Sequence, residues 1–127
     1  MTPRSDFVPS YDQSLETRIG EDTARAARLF LQRTGARYDL SRALLFGSRA
    51  RGDAGASSDL DIAVVLRGAP AARADAAIEM AGLAFDVMLE TGVLVDPIPL
   101  WEDEWTHPER FSNPAFIENI RRDGVPL

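Results

Sequence analysis

The sequence predicts a small α/β (α+β) domain, a mixed sheet of three to four strands flanked by helices. Three observations predict it. Two apolar runs of strand length, Ala43-Leu44-Leu45-Phe46 and Ile62-Ala63-Val64-Val65-Leu66, are joined by a turn rich in Gly, Ser and Arg. A helix-length segment, 71–91, separates the second run from a third, Val93-Leu94-Val95-Asp96. Strand, helix and strand in that order form a crossover unit, which makes the second and third strands parallel. A chain of 127 residues is of the size for one domain with one core.

Taken in order, residues 1–12 carry Pro3 and Pro9 among small polar residues and read as an irregular tail. Residues 13–127 then read as the single domain. Over 14–33, Leu15, Ile19, Ala26 and Phe30 recur near helical spacing, with Glu16, Arg18, Glu21, Arg25 and Arg28 elsewhere, so one helix is expected. Gly20 would weaken its interior by about 1 kcal/mol relative to Ala, and Gly35 would end it. Ser41 to Phe46 is the first strand, ended by Gly47. Ser48 to Arg51 can form a helical turn and 52–58 a loop.

Asp59 to Leu66 is the second strand, its nearly continuous apolar half fitting burial on both faces. Gly68 and Pro70 interrupt the chain before the helix over 71–91. Its expected buried stripe is Ile78, Ala81, Phe85 and Met88, with Arg73, Asp75, Glu79 and Glu90 off it. Gly92 ends that helix, and the third strand over 93–96 is expected to stop at Pro97 and Pro99. Trp101 to Arg110 is acidic, aromatic and irregular. A last helix over 113–122 has Asn113 at its N-cap, Pro114 at its first position and Gly124 after its end.

Composition narrows the function classes. No apolar run approaches the roughly 18 residues that span a bilayer, and the N-terminal residues carry no apolar signal segment. With no cysteine there is neither a disulfide frame nor a thiolate metal site, which fits a cytoplasmic protein. The net charge of −6 argues against a general nucleic-acid binder. All fourteen basic residues are arginines, and those near the Gly-Ser turn suit one small phosphate ligand better than a polymer.

The chemistry concentrates between Gly47 and Asp61. Residues i and i+2 of a strand share a face, so Asp59 and Asp61 project side by side. Two carboxylates that close repel unless a cation lies between them, and oxygen ligands suit Mg²⁺ or Mn²⁺. A solvated pair capping the strand is the plainer alternative. Gly47 allows close backbone approach to a ligand, and the N–H groups after it, with the Ser48 hydroxyl, can cradle phosphate oxygens. Arg49 and Arg51 could add charge-assisted bonds to a polyphosphate. A tight turn would explain Gly47 alone, but turns of that kind span two to five residues and this connection is far longer. Asp96 follows an apolar triplet where the third strand lies beside the second. It could join the two carboxylates as a ligand and as general base, or simply close the strand as an Asp-Pro turn.

Gly47-Ser48, ten residues, Asp59-Leu60-Asp61 and a later Asp96 together resemble the polymerase-β-type nucleotidyltransferase superfamily. Within it the chain is similar to the minimal nucleotidyltransferase (MNT) proteins, antitoxins of HEPN/MNT pairs. The motifs cover about 41–96, and the first helix and the tail from Phe116 to Leu127 share the likeness. The resemblance implies the nucleotidyltransferase fold and transfer of a nucleoside monophosphate from an NTP to a hydroxyl, with release of pyrophosphate. It implies two Mg²⁺ ions held by Asp59, Asp61 and Asp96, with Asp96 also the base. Gly47 and Ser48 would hold the β- and γ-phosphates, aided by Arg49 or Arg51.

The chain is too short to carry the acceptor-binding domains of larger members, so an acceptor brought by a partner is expected. Minimal members are commonly paired with a small helical HEPN toxin, which they AMPylate on tyrosine using ATP, and that is the leading expectation. A second is a non-catalytic module that occludes its partner, with Leu29 and Leu31 as contact residues or, more plainly, as core. A third is a homodimer acting on a small-molecule hydroxyl. His107 has no second His or Cys to complete a metal site and is expected at the surface. Trp101 and Trp105 suit core or interface packing better than base stacking.

Overall fold

The computed structural model describes residues 7–8, 13–52 and 59–127. The rest of the expected tail and of the expected loop after Gly52 lie outside the described residues. The first helical segment is two helices, α1 (Gln13–Ile19) and α2 (Glu21–Gly35), not one. Gly20 separates them at φ +88°, a backbone conformation that costs a residue with a side chain 1–2 kcal/mol or so. It therefore breaks the helix where the sequence predicted only a weakening. Ala26 and Phe30 are buried as expected, Leu31 is also core, and Leu29 packs against the core, so this helix offers no apolar contact face through them.

Strands β1 (Leu40–Phe46), β2 (Leu60–Leu66), β3 (Val95–Trp101) and β4 (Val125–Pro126) form one sheet in the order β3-β2-β1-β4. β1 runs antiparallel to β2 and to β4, and β3 runs parallel to β2. The parallel pair follows from the crossover through α4 (Arg73–Thr91). Ile62 to Leu66 are all buried, which is what their unbroken apolar run demands of an inner strand. Burial of each of the Ile, Val and Leu side chains among them contributes about 1.5–3 kcal/mol.

β3 departs from expectation. It starts at Val95 and runs through both prolines to Trp101 rather than stopping at them. It is an edge strand, and Leu60 N–H donates to the carbonyl of Leu94. Backbone polar groups alternate sides, so residues 96, 98 and 100 face β2 while Pro97 and Pro99 turn their missing N–H outward. An edge tolerates proline in that position.

The two faces of the sheet are covered differently. On one, α2 and α4 close over Leu45, Leu60, Ile62 and Val64. On the other, α5 (Glu102–Thr106), a 3₁₀ turn (Pro108–Arg110) and α6 (Pro114–Asp123) gather Leu44, Ala63, Val65, Leu100, Trp105, Ile117 and Ile120. The segment expected to be irregular after Trp101 is thus mostly helical. Both tryptophans are buried, in the packing role expected of them. α6 begins with Pro114 at its first turn as predicted, although the Asn113 side chain makes no capping hydrogen bond.

α4 overturns the expected stripe. Its buried residues are Ala76, Met80, Ala84 and Val87, while Ile78 and Phe85 are 72% and 52% exposed and Leu89 is 69% exposed. Ala81 is exposed as well, and Met88 is half-buried. Among the described residues no helix is long and apolar enough to cross a membrane.

Candidate active site

β1 delivers the chain to the site at Gly47, and α3 (Gly47–Arg51) starts there. The expected helical turn after the strand is this short helix. Gly47 at φ +75° and Gly52 at φ +81° bracket it, both in the region that favours glycine. At Gly47 the requirement is also steric. A Cβ there would overlap Asp61 Oδ2 and lie 3.1 Å from Asp61 Cγ. The glycine backbone and the carboxylate are in direct contact because Phe46 and Asp61 are partners in the β1–β2 ladder.

The crossover brings the carboxylates together. Asp61 and Asp96 are direct partners in the parallel β2–β3 register. Asp61 is half-buried, whereas Asp59 and Asp96 are exposed. Burial pushes the Asp61 carboxyl above its ordinary value, and the charges of Asp96 and Asp59 and a hydrogen bond with Asp96 push it further. Arg51 acts in the opposite sense. Asp96 reaches Asp61 through the β2–β3 register, while Asp59 lies two residues before it and Arg51 comes from α3.

Among the described residues no group of three or more His, Cys, Asp or Glu stands at the spacing of a metal cage. Asp61 and Asp96 are the close pair, and Asp59 is near enough to act on Asp61 through its charge. Like charges gathered on oxygen donors, beside a glycine that leaves room, are chemistry suited to a hard divalent cation.

Arg49 and Arg51 leave α3 on different sides. Arg51 lines a cavity of about 290 Å³ with Gly47, Phe46 and residues of α6. Arg49 lines a smaller cleft of about 100 Å³ with Arg18, Ile19 and Gly52. Ser48 is half-buried at the first turn of α3. His107 is exposed, with Nδ1 3.4 Å from Glu109 Oε1, away from this cluster.

Two contributors were not singled out in the sequence. Arg18 donates from Nη1 to the carbonyl of Ala50 at 2.9 Å, bonding α1 to the last turn of α3. α6 supplies Phe116, Asn119 and Ile120 to the cavity. Neither residue set carries a motif; only the folded chain brings it to Gly47.

Residues 31–95, just over half the chain, match the family described as polymerase β, nucleotidyltransferase. A crystal structure of a candidate nucleotidyltransferase from Sulfolobus solfataricus superposes with a TM-score of 0.52 at 23% identity. The superposition covers 94% of this chain and 90% of that one, and the likeness is one of fold. No curated protein matches the sequence.

Proposed function

The chain belongs to the polymerase β nucleotidyltransferase family, and on that premise we propose that it transfers AMP from ATP to a hydroxyl group, releasing pyrophosphate. The observation that carries the reading is the β2–β3 register, which sets Asp96 opposite Asp61 while Gly47 packs against Asp61 from the other side.

Asp59, Asp61 and Asp96 would hold Mg²⁺, with Mn²⁺ as a substitute. When bound, the metal neutralises the triphosphate and the attacking and leaving oxygens. Asp96, exposed on the edge strand, accepts the proton of the acceptor hydroxyl as its oxygen bonds to the α-phosphorus. The bond from the α-phosphorus to the bridging oxygen breaks, and pyrophosphate leaves with that electron pair. Backbone N–H groups after Gly47 and the Ser48 hydroxyl donate to β- and γ-phosphate oxygens. Arg49 and Arg51 supply positive charge beside them.

The acceptor hydroxyl belongs, on this reading, to a small helical partner of the HEPN type, which the transfer inactivates in a toxin–antitoxin pair. Support comes from α4, where Ile78, Phe85 and Leu89 form an exposed apolar stripe with Asp75 and Asp86 on its flank. A partner helix with an apolar ridge and basic neighbours complements it. The same stripe would serve a module that neutralises its partner by occlusion alone.

The test incubates the purified protein with Mg²⁺, labelled ATP and the product of a neighbouring gene. Label should move to the partner, and Asp59→Ala or Asp61→Ala protein should move none. A wild-type protein that labels no candidate partner would sink the protein-acceptor reading. If Asp61→Ala still neutralises the partner fully, occlusion is the mechanism.

A further inference from the structure

The cavity between α3 and α6 adjoins the groups assigned to the phosphates and shares Gly47 and Arg51 with them. Phe46, Phe116 and Ile120 give it apolar walls, and Arg51, Asn119 and Asp123 give it polar groups. Its volume of about 290 Å³ lies at the low end of the ~300–1,000 Å³ usual for small-ligand pockets, room for one ring system and little more. The walls are fixed in place. Phe46 and Phe116 meet edge to face at 5.7 Å, and Phe116 stacks on Phe111 at 6.3 Å.

Position in the sheet says which reactant would enter. Across the order β3-β2-β1-β4, Asp96 stands on the outer strand, Asp61 next, then Gly47 at the end of β1. α6 packs against β1, so the cavity lies on the side of Asp61 away from Asp96. With Asp96 receiving the acceptor's proton, the acceptor occupies the β3 side and the donor nucleotide extends toward β1. Charged phosphates do not suit apolar walls. A flat ring does, when its faces meet aromatic and aliphatic side chains and its edge meets an amide.

We propose that this cavity is the base pocket for the donor nucleotide and that Asn119 reads the edge of an adenine. An asparagine amide offers one donor and one acceptor, the pair that matches the N6 and N7 edge of adenine. Arg122 donates to Asn119 Oδ1 at 3.1 Å, which orients the amide and leaves its NH₂ group and a second oxygen lone pair for the base. Arg51 joins the two halves of the site, lining the cavity together with Gly47 and Asp123. This inference rests on the nucleotidyl-transfer reading above.

Calorimetric titration with Mg-ATP, Mg-CTP and Mg-tripolyphosphate tests it on wild type, Asn119→Ala and Phe116→Ala. Asn119 is an exposed helix residue, so its variant retains the fold, and circular dichroism checks both variants. Wild type should bind ATP at least about tenfold more tightly than CTP or tripolyphosphate. Both variants should lose about tenfold for ATP and none for tripolyphosphate, and Asn119→Ala should erase the preference for ATP over CTP. The pocket is overturned, with the phosphate site left standing, if wild type binds ATP and tripolyphosphate alike or if both folded variants bind ATP as wild type does. Failure of wild type to bind either ligand would overturn the pocket and the transfer reading together.

Discussion

Gly47 and Asp61 are in contact across the β1–β2 junction, with the Asp61 carboxylate filling the space that a Cβ on residue 47 would need. Two constraints therefore coincide at Gly47, its φ of +75° and this contact. Gly47→Ala should lower stability by about 1–2 kcal/mol through the backbone alone. It should also displace Asp61, and a shift of about 1 Å in a reacting constellation costs about 100-fold in rate. Urea denaturation and initial rates of nucleotidyl transfer measure the two effects. Ser48→Ala, which meets neither constraint, should leave stability near wild type.

Asp61 also makes the metal-free site sensitive to pH. Its carboxyl is raised above the ordinary value by burial and by Asp96 and Asp59, so the folded state holds this proton more tightly than the unfolded chain. The contribution of Asp61 is then fully favourable below the unfolded carboxylate value and is lost as pH rises through the raised one. Without metal, Asp61→Asn should therefore have a higher Tm than wild type at neutral pH, with the advantage shrinking toward pH 4. Adding Mg²⁺ should raise the Tm of wild type and leave the variant almost unmoved. A variant less stable than wild type at neutral pH in chelator would refute the charge-repulsion account.

Arg73 and Glu104 form an ion pair that ties the start of α4 to α5, and Glu104 is buried. Arg73 also donates to the carbonyl of Pro99 at 2.7 Å and lies over the rings of Trp101 and Phe111. Removing the guanidinium leaves a buried carboxylate without its partner. Arg73→Ala should cost about 3 kcal/mol or more in urea denaturation. Arg73→Met, which restores the apolar stem but not the charge, should recover only the packing part of that loss.

The phenol of Tyr38 donates to Glu79, which Arg37 also contacts. Burial, then this bond, push Tyr38 up to about 12, and the same two partners hold Glu79 below the ordinary carboxylate range. Absorbance titration should show one of the chain's two tyrosines ionising near 12, a step missing from Tyr38→Phe. The stability it contributes is fully present below the unfolded tyrosine value of about 10 and is lost as pH rises through about 12. A titration in which both tyrosines ionise near 10 would mean the bond to Glu79 does not hold in solution.

The inner strands and the parallel β2–β3 pair were legible in the sequence because each rests on a local rule. An unbroken apolar run marks β2, and a crossover makes its flanking strands parallel. β3 was not legible past Asp96, since the prolines are tolerated only because that strand is an edge, and edge status depends on the whole sheet. The break at Gly20 was not legible either, because glycine occurs both inside and between helices. The cavity beside Gly47 depends on α6 folding back against β1, a placement that no spacing within Gly47–Asp61 encodes.

In α4 periodicity alone misidentifies the buried face. The helix is apolar nearly all round, with alanines at 74, 76, 77, 81 and 84, so two stripes of helical spacing run along it. One passes through Ala76, Met80, Ala84 and Val87 and the other through Ile78, Phe85 and Leu89, on opposite sides of the helix. The larger side chains of the second stripe made it look like the buried one. Space beneath α4 selects instead the stripe with small alanines, which lets the helix approach the sheet and α2 closely. Met80→Ala should then cost about 2–5 kcal/mol in urea denaturation, while Phe85→Ser and Ile78→Ser should each stay within about 0.5 kcal/mol of wild type. A Phe85→Ser variant as destabilised as Met80→Ala would reverse the assignment of faces, and with it the exposed surface available to a partner.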